Sequence, residues 1–177
     1  MNATGIEAFH AKVVIYDMRH PNEVTAKMEK RALAFNSYEE VIKEIEALQR
    51  TGYKRMGAWS LGQVCAHLDF YFKGSLEGFN PMLPWIVRLV IGRPTLWWLK
   101  KKKQMKPGGM TAPQSVPAPD TDEKAAIESL LQSLKRLGQA RELRPSAFFG
   151  ELTVEEWRWL HLTHAAHHLG FLVPEGK

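Results

Sequence analysis

The sequence has 177 residues, 45% of them hydrophobic and 24% charged, which is typical of an ordinary soluble globular protein and predicts a single domain over residues 1–177. Cys65 is the only cysteine, which excludes an internal disulfide and favours a cytoplasmic location, and no signal peptide is apparent. The net charge of +5 comes from five lysines at positions 100–103 and 106; the rest has 19 basic and 19 acidic residues, which argues against a nucleic-acid partner.

The first part of the chain, residues 1–36, shows no helical period and is interpreted as an N-terminal arm. Within it, AKVVIYDM (residues 11–18) predicts a short extended segment, and His20-Pro21 predicts a turn. The first helix is predicted over residues 37–50. Ser37 and Glu40 have the spacing of a capping box there, and the apolar positions recur at helical spacing.

Three further helices are predicted. The second covers residues 60–74, with Ser60 as its N-cap and Gln63 three residues on. The third covers residues 120–142 and is capped by Asp120 or Thr121. The fourth covers residues 153–172, with Thr153 and Glu156 as a capping box and Pro174 closing its end. Four amphipathic helices predict an all-α four-helix bundle.

A long insertion, residues 78–119, separates the second and third helices. Its apolar run is interrupted by Arg88, Arg93 and Pro94 and is too short for a membrane span. We expect its large apolar groups to cover the bundle or the mouth of a site; a homodimer contact is the next interpretation, and membrane-surface attachment ranks last. These groups are Trp85, Ile86, Leu89, Val90, Trp97, Trp98 and Leu99.

Histidines concentrate in the last helix, in HLTHAAHHLGFL (residues 161–172). His161, His164 and His168 fall on the inward stripe, whereas His167 points to the side. His164 and His168 are spaced i, i+4 and can bind one metal ion, and His67 is an inward histidine of the second helix. The alternative is that these are satisfied core histidines, but several buried rings without partners cost about 1–3 kcal/mol each.

Other chemistries have less support. The zinc-protease motif requires a glutamate where this sequence has Ala165. Cys65 lies on a different stripe from His67 and is interpreted as a small core residue. Asp69 is expected to face away from His67, and Glu77 or Tyr71 to line the mouth of a site. His161 precedes His164 by one turn, so it is a candidate for supporting the metal-binding histidines from behind or for carrying a proton. No cofactor-binding motif is apparent.

The segments WSLGQVCAHL and HAAHHLGFL together resemble the DinB-like (damage-inducible) superfamily of four-helix metal-binding proteins. The resemblance covers both histidine helices, leaves the insertion outside, and looks closest to an uncharacterised branch. It implies that His67, His164 and His168 are metal ligands and that Trp59 and Ser60 open the ligand helix. Phe171 stands where members often carry glutamine, which makes the adjacent pocket more apolar.

The resemblance implies a divalent metal ion, and imidazole ligands suit zinc, nickel, copper or iron, of which we favour zinc or nickel. It further implies a metal-dependent hydrolase or a thiol-dependent transferase acting on a small molecule. The alternative function is a non-catalytic, stress-associated binding module whose metal is structural or absent. Neither the catalytic residues nor the oligomeric state follow from the sequence.

Overall fold

The computed structural model describes residues 30–102, 105 and 112–175, and this part of the chain is mostly helical. The segment at residues 11–18 and the turn at His20-Pro21 therefore lie outside the described residues. The elements in chain order are α1 (Tyr38–Thr51), β1 (Tyr53–Arg55), α2 (Leu61–Glu77), α3 (Trp85–Val87), a π-helical turn (Arg88–Gly92), α4 (Arg93–Lys102), a 3₁₀ turn (Pro113–Ser115), α5 (Glu123–Gln139), α6 (Val154–Leu169) and β2 (Leu172–Pro174).

Two helices, α2 and α6, begin as the sequence predicted. Ser60 caps α2 and Thr153 caps α6, each with the reciprocal bond that makes a capping box. At α1 the Ser37 side chain accepts from the N–H of Glu40, but the Glu40 carboxylate accepts from the N–H of Asn36 instead of Ser37. The α1 cap is therefore correct, although its capping box is not closed.

Two predicted helix ends are wrong. The N-cap of α5 is Asp122, not Asp120 or Thr121, because the Asp122 carboxylate accepts the N–H of Ala125. Helix α6 ends at Leu169, followed by Gly170, and Pro174 lies in β2. The sequence analysis missed this strand, which pairs antiparallel with β1. The pairing ties the chain after α6 to the α1–α2 connection.

The four long helices surround a common core. Each of α1 and α2 contacts both α5 and α6, and α2 packs most extensively against α5. The predicted apolar stripes of α1 and α5 are buried in this core: Tyr38, Val41, Ile45, Leu48, Ile127, Leu130, Leu134 and Leu137. Helices α2 and α5 approach closely at Gly62, where a Cβ would lie 2.6 Å from the Cα of Glu123.

The apolar helix of the insertion does not cover the core as the sequence predicted. Residues 85–102, which run through α3, the π-helical turn and α4, are called the insertion helix below. Trp85 is 66% exposed and Trp97 is 63% exposed, and Ile86, Leu89 and Val90 are also exposed. Only Leu96 among its large apolar side chains is fully buried. No helix within the described ranges has the length and apolar character needed to cross a membrane.

Candidate metal centre

Helix α2 holds His67 in a fixed position within the core. The capping box at Ser60 sets the start of the helix, and Leu61, Val64 and Leu68 are buried on its inner side. His67 itself is 2% exposed. Helix α6 carries His164 and His168 one turn apart, so both imidazoles extend from the same side of that helix.

The three imidazoles meet at their Nε2 atoms. The Nε2 of His67 lies 3.2 Å from the Nε2 of His164, which lies 3.0 Å from the Nε2 of His168. One ligand atom from each of these residues lies within 4.8 Å of the other two. Metal–nitrogen bonds of about 2.0–2.1 Å place two ligands of a tetrahedral site about 3.3 Å apart. The spacing of the three nitrogens therefore fits one metal ion.

The tautomer of His67 is set by its other ring nitrogen. His67 Nδ1 lies 2.8 Å from the backbone carbonyl oxygen of Ser115. A carbonyl oxygen only accepts, so Nδ1 carries the hydrogen and the Nε2 of the neutral ring presents a lone pair. A metal-binding histidine commonly donates its second N–H to a carbonyl in this way. Sequence analysis missed Ser115 because a backbone carbonyl leaves no residue-type signal.

Burial keeps these rings neutral. It lowers the pKa of His67 to about 4, although the Ser115 carbonyl acts in the opposite direction. Burial also lowers the pKa values of His164 and His168 well below the ordinary histidine value, and the neighbouring histidines lower them further. At neutral pH all three rings are therefore uncharged, which is the form that binds metals.

Aromatic rings enclose the cluster. Trp59 stacks on His168 with a centroid distance of 5.4 Å and lies 4.7 Å from His67. Tyr71 makes edge contacts with His67 and His164, and its hydroxyl lies 3.1 Å from Ser115 Oγ. The prediction that Tyr71 lines the site is supported by these contacts.

Neither of the two α2 carboxylates considered in the sequence analysis, Asp69 and Glu77, lies at the histidine cluster. Glu77 is wrong as a lining residue, because it is exposed, pairs with Arg136 and lies ten residues beyond His67 on α2. Asp69 faces away from the histidines, as expected, but it is buried. Its carboxylate accepts from the hydroxyls of Ser129 and Ser133 on α5.

His161 lies deeper in the core. Its Nδ1 lies 3.0 Å from the Tyr38 hydroxyl, and its ring packs against Phe72 and Trp157. Burial lowers its pKa to about 3. Its Nε2 is buried with no hydrogen-bond partner among the described residues. Its contacts are thus those of a neutral core ring beneath the cluster, one turn from His164.

The far side of the cluster is closed by His167 and the end of the N-terminal arm. His167 is buried beside His168, and its Nδ1 lies 3.2 Å from Lys30 Nζ. The Arg31 N–H donates to the Gly170 carbonyl, which fixes this end of the arm against α6. Burial lowers the pKa values of both His167, to about 4, and Lys30. The charge of Lys30 lowers the pKa of His168 in turn.

The loop that follows the insertion helix reaches the cluster. The carbonyl of Ser115 contacts His67, and the backbone carbonyl of Met105 accepts a hydrogen bond from the His167 ring. The sequence analysis expected the large apolar groups of the insertion to cover the bundle or the mouth of the site, whereas the contacts with the cluster are made by Met105 and Ser115.

The fold and site define a mostly helical protein in which three neutral imidazoles converge in one enclosed cluster. Residues 27–175 match the family described as a protein of unknown function (DUF1569), and the chain belongs to this family. Among curated proteins none matches the chain, and among solved structures none does either.

Proposed function

We propose that the protein binds one divalent metal ion, zinc or nickel, through His67, His164 and His168. The observation that carries this proposal is the approach of the three Nε2 atoms, at 3.2 Å and 3.0 Å, with the lone pair of His67 directed by the Ser115 carbonyl. Without a shared ion or proton, buried lone pairs this close would repel one another. A metal ion replaces that repulsion with three bonds.

We further propose that the protein is a DinB-like four-helix bundle. The contacts of α1 and α2 with both α5 and α6 support this assignment, as does the placement of the histidines on α2 and α6. The insertion between α2 and α5 is an addition to that plan. Its loop supplies the Ser115 carbonyl that orients His67.

The proposed activity is hydrolysis or thiol transfer on a small molecule. A metal held by three neutral ligands supplies an open position, lowers the pKa of a bound water or thiol, and polarises an incoming group. The chain's own residues bind the ion, exclude bulk water with Trp59 and Tyr71, and add the positive charge of Lys30. This charge balance favours an anionic ligand at the site.

The thiol or other nucleophile comes from outside the chain in this proposal. Cys65 is fully buried, and burial, aided by the charges of Glu123 and Asp69, raises the pKa of its thiol far above the ordinary value. A thiol in that environment stays protonated and unreactive at neutral pH. Cys65 is therefore a packing residue.

A second function, a non-catalytic binding module with a structural metal, is favoured by one specific observation. Among the described residues, Lys30 is the only side chain other than a histidine whose charge shifts the pKa of His168, and none shifts that of His164. Asp69 is occupied by the two α5 serines. The described part of the site thus lacks a carboxylate general base. An enzyme would need its water or thiol activated by the metal alone.

The proposal is tested by the metal content of untagged protein, measured by mass spectrometry with inductively coupled plasma. We expect about one zinc or nickel ion per chain in the wild type and close to none in His67→Ala, His164→Ala and His168→Ala. Glu77→Gln, an exposed substitution on α2, is the control and should keep the metal. Wild-type protein that stays empty after incubation with zinc and with nickel would contradict the proposal.

The two functions are separated by a screen of metal-loaded protein for ester and amide hydrolysis and for thiol transfer. Turnover that disappears in His168→Ala favours the enzyme. A screen without turnover, on protein with full metal content, favours the binding module.

A further inference from the structure

The insertion helix presents a continuous apolar surface. Trp85 and Leu89 are one turn apart, as are Ile86 and Val90, and all four side chains are more than half exposed. Trp97, one helical turn before Lys101, adds a second exposed indole. Isolated apolar side chains on a surface are ordinary, but a clustered set of this kind marks an interaction site.

The helix is held against the rest of the molecule by its opposite side. Gly92 is buried so closely that a Cβ would lie 2.1 Å from the carbonyl oxygen of Phe148. Leu96 is 3% exposed, and Arg93 donates to the carbonyl of Glu151 at 3.0 Å. These contacts orient the helix, so the exposed indoles occupy a defined surface.

The charged residues of the insertion are all positive. Residues 78–119 contain two arginines and five lysines and no aspartate or glutamate. Lys101 Nζ lies 5.1 Å from the centre of a Trp97 ring, and Lys102 is exposed. Lys100 pairs with Glu156 of α6 at 2.7 Å. A cation therefore borders the exposed Trp97 directly.

We propose that the insertion helix binds the surface of an anionic membrane, lying in the plane of the lipid headgroups. Tryptophan is favoured at the boundary between headgroups and acyl chains, and lysines beside it attract anionic lipid. The helix binds the interface without crossing it, since no described helix is long and apolar enough to span a bilayer. The exposure of Trp85 and Trp97 contradicts the interpretation that the sequence analysis ranked first, in which these groups cover the bundle or the mouth of a site.

A second copy of the chain fits the same surface less well. A symmetric dimer places the same patch of both subunits face to face. Both copies of the patch would then carry positive charge alone, with no acidic residue in the insertion to offset it. An anionic lipid surface supplies the opposite charge that this patch lacks.

The proposal is tested by sedimentation of the full chain with vesicles of phosphatidylcholine mixed with phosphatidylglycerol, and with vesicles of phosphatidylcholine alone. We expect binding to the mixed vesicles that weakens with added salt, and at least tenfold weaker binding to the neutral ones. Trp85→Ser combined with Trp97→Ser should reduce binding to the background level. Both side chains are exposed, so circular dichroism and the metal content should remain those of the wild type.

Charge variants isolate the electrostatic part. Lys101→Gln combined with Lys102→Gln should weaken binding to the mixed vesicles about tenfold, because it removes two cations from the patch and leaves the Lys100–Glu156 pair intact. Lys124→Gln combined with Lys135→Gln, on α5, removes the same net charge elsewhere and should bind like the wild type. Equal loss in both double variants, or binding that ignores lipid charge, would overturn the proposal. So would absence of vesicle binding, whether or not analytical ultracentrifugation shows a dimer that depends on Trp85 and Trp97.

Discussion

His67 Nδ1 lies 2.8 Å from the carbonyl oxygen of Ser115, a residue 48 positions further along the chain. This bond joins the insertion to the histidine helix and fixes which nitrogen of His67 faces His164. The Ser115 hydroxyl donates to the Ala112 carbonyl at 2.8 Å and lies 3.1 Å from the Tyr71 hydroxyl. The side chain of Ser115 thereby positions its own carbonyl.

Ser115→Ala should lower the affinity for zinc about tenfold. The carbonyl remains, but both hydroxyl contacts that hold it are lost, and partners of metal-binding histidines contribute about 10–100-fold to affinity. Competition with a zinc-binding dye gives the dissociation constant. Tyr71→Phe removes only the contact between the two hydroxyls, so its effect should be the smaller one. An affinity of Ser115→Ala equal to that of the wild type would show that this bond does not position His67.

His168→Ala should abolish the stabilisation of the protein by metal without unfolding the metal-free chain. The helices share a core that extends well beyond the histidines, so metal need not drive folding. For the wild type, free zinc at 100 times the dissociation constant should add about 2.7 kcal/mol to the free energy of unfolding. Urea denaturation with zinc and with chelator measures this difference. Wild-type protein that is unfolded in chelator would instead show that the metal is structural.

The N-caps of α1, α2 and α6 and the apolar stripes of α1 and α5 were predictable because they depend on residues three or four positions apart. The convergence of His164 and His168 and the inward position of His67 follow from the same local rule. Their use as metal ligands stays a prediction. His167, which was expected to point to the side, is buried as well. The Ser115 carbonyl was not predictable, since any residue type could present it.

The insertion shows a second limit of sequence analysis. Large apolar side chains were expected to be covered, as they are in most cores. The insertion helix instead packs against the rest of the protein at Gly92 and Leu96. Gly92 allows the close approach because it has no side chain. The sequence alone does not distinguish a glycine required for close packing from one in a flexible segment. The position of the Phe148 carbonyl shows that Gly92 is of the first kind.

Acid should destabilise the metal-free protein, and His161 should account for a measurable share. Its pKa is about 3 in the folded protein and near 6.5 when unfolded, so the unfolded chain takes up the proton first. This stability is present above pH 6.5 and is lost as the pH falls toward the folded value.

His161→Phe keeps an aromatic ring and removes the titration. Below pH 6.5 the wild type should lose stability relative to His161→Phe. The difference in their free energies of unfolding should shift by up to about 1.4 kcal/mol for each pH unit. Urea denaturation in chelator between pH 7 and about pH 4.5 measures it. Parallel pH curves would contradict a buried, neutral His161.

Asp69→Asn should destabilise the protein while leaving its metal content unchanged. The Asp69 carboxylate accepts from Ser129 at 2.7 Å and Ser133 at 2.5 Å and pairs with Lys73 at 2.9 Å, all on the side of α2 that faces α5. Replacing it with an amide directs an N–H₂ group at one of these partners, at a cost of about 2 kcal/mol.

Glu77→Gln breaks an exposed pair on the same helix and should cost about 0.5 kcal/mol or less. Urea denaturation and metal analysis of both variants provide the comparison. Loss of metal in Asp69→Asn, with the fold intact by circular dichroism, would mean that this carboxylate acts on the His67 side of α2 after all.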